Sequence, residues 1–173
     1  MIPAAAVLAI GFRYPGPGSA ERLGAGVAGI PDGPVRRAFE AFVDDVSALP
    51  LSAWEELHTT TLDLNPRFAP YIGHAIWADN YQRGAFMAEL AAAQADLGVD
   101  GGGELPDHVE PVLRYLAVAD RPVASLVPVI GQALAQMRRA LVTADPTNPY
   151  RHLLDAVVAL VADLRPVSIG GAR

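Results

Sequence analysis

The side chains with the widest chemical reach in this chain are four histidines, His58, His74, His108 and His152. No two of them stand three or four residues apart, so no helix presents a paired-imidazole metal site. Asp107 and His108 are adjacent, which suits an acid–base pair, a capping Asp with its neighbour, or a polar cluster on a binding surface. Asp44-Asp45 and Glu55-Glu56 are consecutive, so the members of each pair diverge on a helix and read as solvated faces. There is no Gly-x-Ser-x-Gly elbow, and no Ser, His and Asp share the spacing of a nucleophile with its base. Gly24-Ala25-Gly26-Val27-Ala28-Gly29 has dinucleotide-fingerprint spacing, but no apolar strand precedes it and Pro31-Asp32-Gly33-Pro34 breaks the chain at once. Gly101-Gly102-Gly103 lacks the Lys and Ser/Thr of a phosphate loop. Together these readings set the expectation of no enzyme, no catalytic residue, no metal and no cofactor.

Two stretches carry more chemistry than a plain helix needs. Residues 71–84 hold Tyr71, His74, Trp77, Asp79, Tyr81 and Arg83 within a short span. Glu104-Leu105-Pro106-Asp107-His108-Val109-Glu110 places three carboxylates and a histidine at a helix start, where the helix dipole favours negative charge. Between Asp100 and Asp120 the acidic residues Asp100, Glu104, Asp107, Glu110 and Asp120 face Arg114 alone. Such a patch beside aromatic or aliphatic surface suits an Arg-bearing amphipathic peptide.

The elements that must position these residues are helical. Val35, Phe39, Phe42, Val46 and Leu49 form one helix face behind Pro34. Phe86, Leu90, Ala93 and Leu97 form a second, with Asp79 or Asn80 as its cap. A third runs from Val123 to Leu141, with a kink or break expected at Pro128. A fourth, from Leu153 to Leu164, opens at Asn148-Pro149. Ile2–Ile10 reads as a first buried helix with Pro3 in its opening turn, and shorter helical segments are expected near 51–61 and 67–77. No strand alternation or Asn-Gly hairpin signal is present. The expectation is an all-α, single-domain bundle of about seven to nine helices over residues 1–167, with 168–173 a flexible tail.

Composition narrows the function further. The chain has 173 residues, 51% hydrophobic and 18% charged, with a mean hydropathy of +0.24. That length suits one domain with its own core, and the apolar fraction is too high for disorder. All 13 basic residues are arginine, so lysine-dependent phosphate loops, Schiff bases and nucleophiles are excluded. There is no cysteine, hence no disulfide, thiolate zinc site or iron–sulfur cluster. A formal charge of −6 disfavours nucleic acid, which needs cations to displace counterions, and favours a basic peptide. The apolar start is too short for a membrane span and has no basic residue before it, so a cytoplasmic location is expected.

Leu62-Asp63-Leu64, Tyr71, Asp79 with Arg83-Gly84, and Glu104-Leu105-Pro106-Asp107-His108 together resemble the NarJ family. These are the nitrate reductase delta subunits, chaperones for assembling molybdenum enzymes, within the wider TorD and DmsD group. Tyr14-Pro15 and the Asn148-Pro149-Tyr150 opening of the last helix are also similar to the family pattern. The likeness is strongest over residues 57–120. Leu62 stands where the family usually has an aromatic, and Ala78 where it has the Gly of Gly-Asp. The resemblance implies a system-specific, cytoplasmic chaperone for nitrate reductase or a close relative. It would bind the apo catalytic subunit by its N-terminal segment and support molybdenum cofactor insertion, without joining the mature complex. Tyr71, His74, Asp79, Arg83, Glu104, Asp107 and His108 are the candidate peptide-binding residues, with Asp63, Gly84 and Pro106 as structural positions of the motif. The alternatives are a constitutive structural subunit of such an enzyme or a generic helical peptide-binding adaptor.

Overall fold

In a computed structural model that describes residues 1–63 and 69–164, the chain is all-α. Among the described residues it forms nine α-helices and no strand. They are α1 (Pro3–Ile10), α2 (Ser19–Val27), α3 (Pro34–Ser47), α4 (Leu51–His58), α5 (Ile72–Trp77), α6 (Tyr81–Asp96), α7 (Val109–Val118), α8 (Val127–Ala144) and α9 (Tyr150–Val161). A π-helical turn, Thr59–Asp63, continues α4. The residues expected to form the tail lie outside the described part, as does the end of the expected domain.

Proline and apolar spacing explain most of the helix starts. Pro3 and Pro34 occupy the first turns of α1 and α3, where a missing N–H costs nothing. Phe39, Phe42, Val43 and Val46 are the buried face of α3. That face meets α9, whose Tyr150, Leu153, Leu154, Ala156, Val157 and Val161 are buried in turn. The back of α9 lies against α8, and α1 packs on α7. Fully burying one such Phe or Leu is worth about 1.5–3 kcal/mol. At the end of α1 the backbone comes so close to α9 that a Cβ on Gly11 would sit 2.9 Å from Leu153 Cδ2.

Four local expectations change or narrow. Of the kink or break expected at Pro128 it is the break that occurs: α8 begins at Val127, so Pro128 sits in its first turn. Leu97 is not on the buried face of α6. It follows the last helical residue at 47% exposure, and Gln94 is buried instead. The segment near 51–61 splits into α4 and the π-helical turn, where three consecutive β-branched residues, Thr59-Thr60-Thr61, crowd an α-helical turn. α5 begins only at Ile72.

Candidate functional site

The sequence-predicted residues come together where the start of α5 meets the start of α7. Ile72 N–H donates to the Asp107 carbonyl at 2.8 Å, and Val109 N–H donates to the Pro70 carbonyl at 2.8 Å. This short antiparallel clasp pairs Tyr71 with His108. The glycine-rich connection from α6 is anchored by Gln94, whose Nε2 donates to the Pro106 carbonyl at 2.8 Å. A buried Gln is tolerated there because its amide has that partner.

At the centre lies an ion pair. Asp107 is fully buried, and Arg83 reaches it with Nε to Oδ2 at 2.9 Å and Nη2 to Oδ1 at 3.4 Å. The Arg83 Nη1 also donates to Asp79 Oδ1 at 2.6 Å, and the guanidinium carbon lies 5.6 Å from the centre of the Tyr71 ring. His74 Nδ1 is bonded to the same Asp79 oxygen at 3.3 Å. Those hydrogen bonds, first from His74 and then from Arg83, hold the Asp79 carboxyl below the usual carboxylate range. Gly73 leaves the room this pair needs: a Cβ there would lie 2.8 Å from Asp107 Oδ2 and 3.0 Å from Arg83 Cγ. The Asp107 carboxylate is therefore held by Arg83 inside the fold. Gly84 is different, exposed on α6 with no atom within 4 Å of a Cβ built there.

Of the three open readings of Asp107-His108, the same geometry decides the one about capping. The histidine, not the aspartate, caps the helix: His108 Nδ1 accepts the Glu110 N–H at 3.1 Å. Asn80, not Asp79, caps α6, accepting from Gln82 N–H at 2.8 Å and Arg83 N–H at 3.4 Å. Ala78, just before these residues, has φ 51° and ψ −141°. It is the one positive-φ residue other than glycine among the described residues, in a conformation L side chains rarely adopt.

Beyond the clasp opens a cleft of about 390 Å³ between the end of α1, the π-helical turn, the glycine-rich connection and the start of α7. Tyr71 links the clasp to it: its hydroxyl donates to Glu104 Oε2 at 3.2 Å, and its ring meets His108 edge-on at 5.1 Å. Burial, then the charge of Glu104 and the bond to it, push the Tyr71 hydroxyl up to about 12. Glu110 is buried and bridges two arginines, accepting from Arg13 Nε at 2.7 Å and from Arg114 Nε at 3.1 Å. Arg114 also donates to the Asp100 carbonyl. Asp63, Asp100, Glu104 and Glu110 against Arg13 and Arg114 give the lining a formal charge of 2 − 4 = −2 with neutral imidazoles. Of the acidic patch expected from sequence, Asp107 and Glu110 are held internally, whereas Asp100, Glu104 and Asp120 are exposed.

The sequence names His58 only as one of four histidines and Tyr14 only as part of a Tyr-Pro, and it gives neither of them, nor Arg13, a place in the site. His58 ends α4, is 4% exposed, and its Nδ1 lies 2.9 Å from the Tyr150 hydroxyl. The Tyr14 ring stands edge-on to it at 5.3 Å. The run of three threonines after it, which marks the π-helical turn, is the one sequence signal that could have drawn attention there. Among the described residues no group of three or more His, Cys, Asp or Glu is placed to hold a metal ion. No helix among them is long and apolar enough to cross a membrane. The chain matches no protein-family model and no curated protein.

Proposed function

We propose that the protein is a system-specific chaperone that binds the cofactor-free catalytic subunit of a molybdenum oxidoreductase through a basic N-terminal segment. The observation that carries this reading is convergence. The separate pieces of the NarJ-like pattern, Tyr71, Asp79, Arg83 and Glu104 to His108, gather around one buried ion pair, and Glu104 and His108 also line an acidic cleft. The departure at Ala78 also supports it, since the backbone there has the positive φ that the family's glycine would adopt without strain.

In this reading Arg83 and Asp107 fix the clasp, and Tyr71, His74, Asp79, Glu104 and His108 present the recognition surface. Exposed carboxylates pair with arginines of the client, and Phe12, Tyr14 and Leu62 receive its apolar face. The chaperone acts in the cytoplasm, without catalysis. A ligand that binds only the open, cofactor-free subunit shifts the population to that state by its differential affinity. A micromolar complex, about −8 kcal/mol, is enough for a partner that must leave.

Affinity capture from the native host tests this. Tagged protein should retain a molybdopterin oxidoreductase catalytic subunit that lacks its cofactor. Recovery only of the loaded, mature enzyme would favour the structural-subunit reading, and absence of any such subunit while the enzyme is being made would refute both.

A further inference from the structure

Two buried imidazoles from distant parts of the chain open onto the same cleft, and the chaperone mechanism above uses only one of them. His58 and His108 are 4% and 5% exposed, and both line the cavity. Each has its Nδ1 engaged as an acceptor. The Tyr150 hydroxyl accepts from Trp54 Nε1 at 3.2 Å, and His58 Nδ1 at 2.9 Å is the one acceptor within reach of its buried proton among the described residues, so the tyrosine donates to His58. The His108 Nδ1 accepts the Glu110 backbone N–H at 3.1 Å, which can likewise only donate. A neutral imidazole whose Nδ1 accepts carries its proton on Nε2. The network therefore assigns the same tautomer to both rings, and among the described residues neither Nε2 has a hydrogen-bond partner.

We propose that His58 and His108 form a fixed pair of neutral Nε2–H donors that bind main-chain carbonyl oxygens of an extended, arginine-bearing peptide lying in this cleft. The inference rests on the chaperone reading for the class of ligand and adds a residue, His58, and a recognition mode to it. Ser125 Oγ is the one buried side-chain polar atom without a partner among the described residues, so the two Nε2–H groups open to the cleft and can exchange its water for an incoming acceptor. The surrounding charge of −2 disfavours a carboxylate or phosphate as that acceptor and favours a neutral carbonyl on a cationic chain. Asp63 and Glu104 at the rim are placed to take the guanidinium. The pair resists protonation for structural reasons. A proton on His108 Nδ1 would remove the α7 cap, and one on His58 Nδ1 would leave the Tyr150 hydroxyl proton without its acceptor.

Asparagine separates the two halves of each ring. Its side-chain oxygen reproduces the Nδ1 acceptor, and at position 108 it is a good helix cap, but it cannot reach the cleft as Nε2–H does. Long-range ¹H–¹⁵N spectra of the free protein should show both rings as Nε2–H tautomers, and an Nδ1–H signal from either would overturn the inference while leaving the chaperone reading intact. The probe for binding is an acetylated, amidated peptide carrying arginines on one face, titrated calorimetrically. His58→Asn and His108→Asn should each weaken it about three- to tenfold with the fold retained by circular dichroism. Unchanged affinity in both folded variants overturns the donor pair alone. Failure of the wild-type protein to bind the peptide overturns the peptide as its ligand, whereas the capture experiment decides the chaperone reading separately.

Discussion

Asp107→Asn is the most informative single perturbation of the clasp. The carboxylate is fully buried and receives two bonds from Arg83, itself 12% exposed along its side chain. Asparagine keeps the volume and one acceptor but removes the charge. Hydrogen bonds to a charged group contribute about 1.5–3 kcal/mol, and breaking a buried pair outright costs about 3–5 kcal/mol. Because Arg83 retains Asp79 at 2.6 Å, a loss of about 2–3 kcal/mol is expected. At about 2–4 °C per kcal/mol for a chain of this size, the midpoint should fall by roughly 4–12 °C. Urea and thermal denaturation followed by circular dichroism would read it. The paired test is decisive in sign. With Arg83→Met in place Asp107 is a buried charge without its partner, so adding Asp107→Asn should then be neutral or stabilising. A loss below about 0.5 kcal/mol in the single variant, together with a large fall in basic-peptide affinity, would refute the reasoning and make Asp107 a ligand-facing charge.

Three further outcomes follow from the same geometry. Burial lowers the pKa of both His58 and His108, so the unfolded chain binds more protons than the folded one below their ordinary value of 6.5. Stability should be full above about pH 7 and fall as pH drops through 6.5 toward the depressed values, at up to about 1.4 kcal/mol per pH unit for each ring. Denaturation curves should show that slope shrink in His58→Asn and in His108→Asn. Ala78→Gly should raise stability by about 1 kcal/mol, because φ 51° suits glycine and strains alanine, and no change in the urea midpoint would contradict the strain. Gly73→Ala should lower stability by about 1–3 kcal/mol, since its Cβ would lie 2.8 Å from Asp107 Oδ2, and a variant as stable as wild type would show that the clasp can give way.

The fold was legible in the sequence because its signals are local. Pro34 with the Val35 to Leu49 spacing, and Pro149 before Leu153-Leu154, fix helix starts and buried faces within one or two turns. The ambiguity is local too. Pro128 reads as a kink or a break, and the turn over 124–126 with α8 opening at Val127 makes it a break that leaves the proline in the first turn. The site was legible in its membership more than in its roles. Glu104 to His108 stood out as a cluster, but whether a carboxylate faces solvent or an arginine depends on a partner far along the chain. Arg83 and Asp107 are 24 residues apart, and Arg13 and Glu110 are 97 apart. The setting of His58 was hidden for the same reason, since its hydrogen-bond partner Tyr150 is 92 residues away.

The central claim is preference for an unfinished client, and a comparison of affinities tests it most directly. The catalytic subunit of the captured oxidoreductase would be prepared with and without its molybdenum cofactor and titrated against the protein at fixed, moderate salt. The account predicts micromolar binding to the cofactor-free subunit, weakening as salt rises, and binding at least about a hundredfold weaker to the loaded one. Equal affinity for both forms would contradict it, because a ligand that does not discriminate between two states shifts neither.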